Sequence, residues 1–145
     1  KGVQAPEDAV RIKAAGADAL YVSNHGARQM NAAPPAMTSI APVRAAIGNE
    51  MPLIVDGGVR SGEHVIKAIA SGADFVMIGR SAMFGLGAAG ATGLADILDS
   101  FAREASSVMG LAGKTGIGDI DTSCLAVAHG YSDWNGIDVA GERSG

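Results

Sequence analysis

The chain has 145 residues, of which 48% are hydrophobic, so it is long and apolar enough for one folded domain with a core. A formal net charge of -4, with dispersed lysines and arginines, argues against a nucleic-acid partner. The single cysteine, Cys124, excludes an internal disulfide and a cysteine-rich metal site, which agrees with a cytoplasmic location. No apolar stretch approaches the ~20 residues that span a bilayer, so we expect no membrane span and a small-molecule partner.

Helical and strand-like segments alternate along the chain. Three short apolar runs predict strands: residues 19–22, 53–55 and 75–78. Each run is preceded by a predicted helix, and the starts of these helices are marked by Pro6, by Thr38 or Ser39, and by Ser61. A fourth helix is predicted over roughly residues 94–109, where apolar side chains recur every three or four positions. Alternation of this kind indicates parallel strands with crossover helices.

A repeated sequence motif marks the transition from helix to strand. Ala14-Ala15-Gly16-Ala17-Asp18 and Ala70-Ser71-Gly72-Ala73-Asp74 are near copies, which indicates a repeated βα unit. A closed parallel barrel needs eight strands, so about three units predict either part of a larger (β/α)8 barrel or an open sheet. The chain also begins at Lys1 with no initiator methionine and no upstream strand, and we therefore expect a fragment.

The first chemical motif lies directly after residues 19–22 and reads Ser23-Asn24-His25-Gly26-Ala27-Arg28-Gln29. The exit of a buried parallel strand is where α/β folds build ligand sites from loops. His25 and Arg28 would place a titratable base beside a fixed cation, which fits proton abstraction from a substrate whose carboxylate pairs with Arg28. The alternative is an ordinary loop histidine and a solvated surface arginine.

Two glycine-containing motifs follow the next two predicted strands. They are Asp56-Gly57-Gly58-Val59-Arg60 and Gly79-Arg80. Glycines let backbone N–H groups approach an anion, a helix N-terminus adds a favourable dipole, and arginines supply forked hydrogen bonds. Together the motifs predict a phosphate site, whereas the alternative is two ordinary glycine turns with surface arginines. Asp56 could accept hydrogen bonds from a polyol or only cap its loop.

In this order and spacing, the three motifs resemble the C-terminal half of the FMN-dependent 2-hydroxy-acid oxidase and dehydrogenase family, which includes glycolate oxidase, L-lactate dehydrogenases and mandelate dehydrogenase. The resemblance runs from Lys1-Gly2-Val3 to Met109-Gly110-Leu111-Ala112-Gly113. It implies an α/β fold, the C-terminal part of a TIM (β/α)8 barrel with FMN across its mouth. Residues 1–113 would supply about three βα units of this barrel, and residues 114–145 an irregular tail.

The resemblance also implies roles for individual residues. His25 corresponds to the active-site base and Arg28 to the arginine that pairs with the substrate carboxylate. Lys1 corresponds to a lysine at the pyrimidine edge of the flavin and Ser23 to a flavin-contacting serine. The loops that hold the ribityl chain and phosphate of FMN correspond to Asp56, Gly57, Gly58, Val59, Arg60, Gly79 and Arg80. No metal ion is implied.

The leading hypothesis is therefore FMN-dependent oxidation of a small L-2-hydroxy acid to the 2-keto acid, by a parent enzyme that we expect to be a homo-oligomer. The sequence does not distinguish an oxidase from a dehydrogenase, and it does not identify the acid. A second hypothesis is another flavin- or phosphate-binding TIM-barrel enzyme of the isomerase type. A third is a non-catalytic phosphate-binding fragment. In the tail, His129, Tyr131 and Trp134 are expected to serve local packing.

Overall fold

The computed structural model describes residues 1–126, in which helices and short strands alternate as the sequence predicts. The helices are α1 (Pro6–Ala14), α2 (Ala36–Ile47), α3 (Gly62–Ala70) and α4 (Arg80–Leu111). The strands are β1 (Leu20–Val22), β2 (Leu53–Val55) and β3 (Phe75–Val76). Short 3₁₀ turns lie at His25–Ala27, Ile117–Asp119 and Thr122–Cys124.

The described strands form one parallel sheet in the order β1-β2-β3. Leu20 pairs with Leu53, and Val55 pairs with Val76, so the carboxyl ends of the strands lie at one edge of the sheet. Val3 adds an isolated parallel bridge to Val22. The prediction of parallel strands with crossover helices is confirmed, and the result is a partial α/β fold.

The two faces of the sheet differ in burial. Side chains alternate across a strand, and the alternating set Leu20, Val22, Leu53 and Val55 is fully buried together with residues of α2. On the opposite face, Tyr21 is half-buried and Phe75 is 61% exposed. Within residues 1–126, helices therefore cover one face of the sheet and leave the other face largely open.

Two of the three predicted helix starts agree with the structure. Helix α1 begins at Pro6, and the Ser61 hydroxyl caps α3 by accepting a hydrogen bond from the His64 backbone N–H at 3.2 Å. The predicted cap of α2 at Thr38 or Ser39 is wrong, because the helix already begins at Ala36 after Pro35. Proline fixes its own φ and directs the chain into the helix without a side-chain cap.

Helix α4 is longer than predicted, and it is broken. It spans Arg80–Leu111 instead of residues 94–109, and the backbone leaves helical geometry at Ala89 and Gly90. A Cβ atom on Gly85 would lie 2.6 Å from the carbonyl oxygen of Gly93. Eight residues of straight helix span ~12 Å, so this contact shows that the chain folds back at the break. The sequence did not reveal the first segment because its glycines favour turns.

One described helix, Arg80–Leu111, is long and apolar enough to cross a membrane by length and composition alone. The sequence had suggested that no segment meets this test. Only 11% of the helix's most apolar window is buried, and the break at Ala89 and Gly90 interrupts its axis. A test based on length and composition is weak evidence when the helix is bent in this way.

The predicted irregular tail is described as far as residue 126. In this part, Ile120, Cys124 and Leu125 pack against residues of α3 and α4 and extend a second apolar cluster. Cys124 is a free, half-buried thiol. His129, Tyr131 and Trp134 lie outside the described residues.

The end of the sheet opposite the strand exits is held by Arg44 of α2. Its guanidinium donates to the carbonyl oxygens of Gly72 at 2.8 Å, Gly48 at 2.7 Å and Met51 at 2.9 Å. It also pairs with Asp74 at 2.5 Å, and the Arg44 side chain is only 13% exposed. One side chain therefore joins the end of α2 to the loops that lead into β2 and β3.

We predict that Arg44→Met lowers the free energy of unfolding by roughly 2–3 kcal/mol, because three backbone carbonyl groups, two of them partly buried, lose a charged donor. Arg11→Met is the matched control, since Arg11 pairs with Asp8 on the surface with its side chain 79% exposed and such pairs contribute about 0–1 kcal/mol. Urea unfolding of both variants measures the difference. Equal losses for the two variants would contradict a role for Arg44 in joining the loops.

Candidate functional site

A cleft of about 950 Å³ lies at the carboxyl ends of the strands. The loops after β1, β2 and β3 all reach it because parallel strands end at the same edge of the sheet. Every site residue predicted from the sequence except Ser23 lines it: Lys1, His25, Arg28, Asp56, Gly57, Gly58, Val59, Arg60, Gly79 and Arg80. The structure thus brings three separate sequence motifs to one place.

The Asp56 carboxylate connects three residues at the cleft, namely Lys1, Tyr21 and Ser23. Its Oδ2 atom accepts hydrogen bonds from Lys1 Nζ at 2.6 Å and from the Tyr21 hydroxyl at 2.9 Å. Its Oδ1 atom accepts a hydrogen bond from the Ser23 hydroxyl. Ser23 is 1% exposed, and its oxygen accepts from the backbone N–H of His25 at 3.0 Å. Ser23 therefore lies below the cleft, where it links Asp56 to the loop that carries His25.

Lys1 and Asp56 both remain charged near neutral pH. Burial tends to raise the pKa of Asp56, but hydrogen bonds from Lys1, Ser23 and Tyr21 outweigh it, so the pKa is lowered. The hydrogen bond to Asp56 raises the pKa of Lys1 above its ordinary value, although burial opposes this. The stabilisation from Asp56 is therefore present above pH 3.8 and is lost as pH falls through its lowered folded pKa.

The loop after β1 has an unusual backbone. His25, Gly26 and Ala27 all have positive φ angles, of 54°, 66° and 60°. This conformation costs a non-glycine residue roughly 1–2 kcal/mol. Asn24 offsets part of the cost, because its side-chain oxygen accepts a hydrogen bond from the Gly26 N–H at 3.0 Å. The strained turn directs the His25 side chain to the cleft.

Two glycines, Gly2 and Gly57, allow side chains of the loop after β1 to lie close to the neighbouring backbone. A Cβ atom on Gly2 would lie 2.6 Å from Cε1 of His25, and one on Gly57 would lie 2.7 Å from Oδ1 of Asn24. Both glycines also have positive φ angles. The imidazole of His25 therefore packs against a backbone position that only glycine accommodates.

Three arginines give the cleft its positive charge. Among residues 1–126, Arg28, Arg60 and Arg80 form no ion pair, and all three are exposed. A Cβ atom on Gly58 or Gly79 would meet no protein atom within 4 Å, so both backbones are open. Helix α4 begins after Gly79 without a side-chain cap. Open backbone, a helix N-terminus and free guanidinium groups are the features that bind an anion.

The predicted set of site residues omitted several residues at the cleft. Apart from the predicted set, it is lined by Gly26, Gln29, Met77, Ser81, Met83 and Phe84. Tyr21 was also missed, although it contacts both Lys1 and Asp56. Its position between the buried Leu20 and Val22 was the available signal, because alternation puts its hydroxyl on the opposite face. The residues around Met83 were missed because the first segment of α4 was not predicted.

Comparisons with known proteins agree with this geometry. A family model described as FMN-dependent dehydrogenase matches residues 1–127. An L-lactate oxidase of Lacticaseibacillus rhamnosus is 46% identical over 109 residues, which are 75% of this chain and 30% of that protein. An L-lactate dehydrogenase of Pseudomonas syringae pv. syringae is 41% identical over 128 residues, which are 88% of this chain and 34% of that protein. A structure of a mandelate oxidase variant with an FMN adduct has a TM-score of 0.78 and 44% identity, over 81% of this chain and 37% of that one.

This chain thus spans only between 30% and 37% of the length of these three proteins. The family model continues past Gly113, where the resemblance seen in the sequence ended, and includes Ile120 and Cys124, which pack on α3 and α4. A match of this extent, together with the three motifs at one cleft, shows that the chain belongs to the FMN-dependent dehydrogenase family.

Proposed function

We propose that this chain forms part of a TIM-barrel enzyme that uses FMN to oxidise a small L-2-hydroxy acid to the 2-keto acid. The observation that carries the proposal is that one cleft holds a histidine together with arginines that form no ion pair within the described residues. The acid requires a base and a carboxylate partner, and the cofactor requires a phosphate site. Similarity to proteins named lactate oxidase and lactate dehydrogenase supports this substrate class.

Residues of the loop after β2 and of the start of α4 fit the phosphate of FMN. Gly58 and Gly79 leave open backbone where a side chain would otherwise project, and Arg60 and Arg80 line the same cleft. The uncapped first turn of α4 adds N–H donors and a favourable dipole. We assign these groups to phosphate binding. Gly57 and Val59 shape the loop after β2, which carries Gly58 and Arg60.

Lys1, Ser23 and Asp56 fit the polar edge of the flavin and its ribityl chain. Lys1 carries a positive charge at the cleft, where it would face the pyrimidine edge of the ring system. Asp56 lines the cleft as a carboxylate that can accept a hydrogen bond from a ribityl hydroxyl. Ser23 holds Asp56 from below through its buried hydroxyl.

His25 and Arg28 would handle the substrate. Bound FMN supplies the acceptor for the two electrons that leave the hydroxy acid. His25 accepts the proton released in this oxidation, and its ring is held in place by the backbone at Gly2. Arg28 binds the carboxylate through its planar fork, which orients the substrate carbon toward the flavin.

We predict that His25→Gln in the complete, FMN-loaded barrel slows flavin reduction by the hydroxy acid by roughly 10²- to 10⁴-fold, because a positioned base contributes that much. FMN should stay bound, since His25 is not assigned to the cofactor. Stopped-flow absorbance measures the rate, and the flavin spectrum is the control. Reduction within a few fold of the unmodified protein would remove His25 from the mechanism.

Arg28→Lys should mainly weaken substrate binding, because lysine keeps the charge but cannot reproduce a two-point contact with a carboxylate. The dissociation constants of a 2-hydroxy acid and of its amide measure the effect. We expect the acid to lose far more affinity than the amide. If both lose equally, Arg28 recognises something other than the carboxylate.

Arg60→Ala and Arg80→Ala should each lower the affinity for FMN, with a smaller loss for riboflavin, which has no phosphate. Arg103→Ala is the matched control, because Arg103 is an exposed arginine of α4 that does not line the cleft. Fluorescence titration with both flavins measures the dissociation constants. Equal losses for the two flavins would place the phosphate elsewhere.

A further inference from the structure

Tyr21 contacts two charged side chains that line the cleft, Lys1 and Asp56. Its hydroxyl donates to Asp56 Oδ2 at 2.9 Å, the same atom that Lys1 Nζ contacts at 2.6 Å. The Lys1 Nζ atom also lies 4.0 Å from the centroid of the Tyr21 ring. Tyr21 therefore meets Lys1 through its aromatic face and Asp56 through its hydroxyl.

These contacts restrict where the Lys1 ammonium can lie. An ammonium group over an aromatic face is attracted by the negative charge of the ring face. The Lys1 side chain is 43% exposed, so without such contacts it would sample many rotamers. The ring of Tyr21 supports the ammonium on one side, and Asp56 fixes it on another.

The Tyr21 hydroxyl also limits the negative charge that Asp56 presents to Lys1. Burial raises the pKa of Tyr21, and the hydrogen bond to Asp56 raises it further, so the phenol stays a neutral donor. A donated hydrogen bond spreads the charge of the carboxylate over a larger group. Less of the Lys1 charge is then cancelled by Asp56.

We propose that Tyr21 is a positioning residue that fixes the Lys1 ammonium at the cleft and preserves its positive charge for the pyrimidine edge of the flavin. The inference rests on the proposed function in one respect, the placing of Lys1 beside the flavin. Tyr21 itself touches neither substrate nor flavin in this assignment, and it does not line the cleft.

Sulfite binding to the FMN-loaded chain tests the electrostatic effect. Sulfite adds through its sulfur to N5 of oxidised flavin, and the electron pair displaced from the ring leaves negative charge at the pyrimidine edge, where a cation stabilises it. Tyr21→Phe keeps the ring but removes the hydroxyl, so Asp56 then cancels more of the Lys1 charge, and we expect a sulfite affinity about 3- to 10-fold weaker. Tyr21→Leu also removes the ring and should weaken sulfite binding further.

The control is Ser107→Ala, which removes an exposed hydroxyl on α4 that donates to the Arg103 carbonyl oxygen at 3.0 Å, away from the cleft. We expect its sulfite affinity to be unchanged. The FMN affinity of each variant is measured first, because a merely structural role would weaken FMN binding without changing the sulfite affinity of the flavin that remains bound. Sulfite affinities within twofold of the unmodified chain for both Tyr21 variants would overturn the proposal.

A second measurement needs no flavin. In ¹H–¹³C spectra of the full chain without FMN, the Hε protons of Lys1 should be shifted upfield, because they lie near the face of an aromatic ring. Tyr21→Phe should keep this shift and Tyr21→Leu should abolish it. A Lys1 signal at the position of an exposed lysine in the unmodified chain would overturn the proposal. If the chain shows the shift but the complete enzyme binds no FMN, the proposed function is contradicted and the Tyr21 contact is still established.

Discussion

Parallel pairing of the three described strands is the constraint on which the site depends. Because β1, β2 and β3 run in the same direction, the loops that follow them open at the same edge of the sheet. His25, Asp56 and Gly79 are far apart in sequence, yet each comes within a few residues of a strand end. With an antiparallel neighbour, the corresponding loop would open at the opposite edge, and the cleft would lose one of its sides.

The arginines at the two ends of the sheet differ in whether they have partners within the described residues. At the end where the strands begin, Arg44 donates from all three guanidinium nitrogens to backbone carbonyls and to Asp74, which balances its charge. At the end where the strands stop, Arg28 and Arg60 have no described carboxylate partner. A paired arginine stabilises loops, whereas an unpaired one in a cleft is available to an anion. This division agrees with the general separation of stability and activity in parallel barrels.

The charges of Lys1 and Asp56 at the cleft are balanced by a defined set of contacts. Lys1 and Asp56 neutralise each other in part, and Tyr21 and Ser23 supply the remaining hydrogen bonds to the carboxylate. Their contacts come from three different segments, so none of them could be formed by the loop after β2 alone. The strained turn at His25 depends on the same hydrogen-bonded residues, because the Ser23 hydroxyl oxygen also accepts a hydrogen bond from the His25 backbone N–H. The loop after β2 and the strained loop after β1 therefore share one network of hydrogen bonds.

The order of helices and strands, the parallel sheet and the three motifs at the strand exits could be predicted from the sequence. Local signals sufficed for these features, since apolar runs, glycines and capping residues such as Ser61 act within a few positions. The folding back of α4 at Gly90 could not be predicted, because that turn depends on backbone contact between Gly85 and Gly93. The partners of Tyr21 could not be predicted either, since its hydroxyl meets a carboxylate 35 positions away in the sequence. Contacts of this kind depend on how segments pack, which no local pattern specifies.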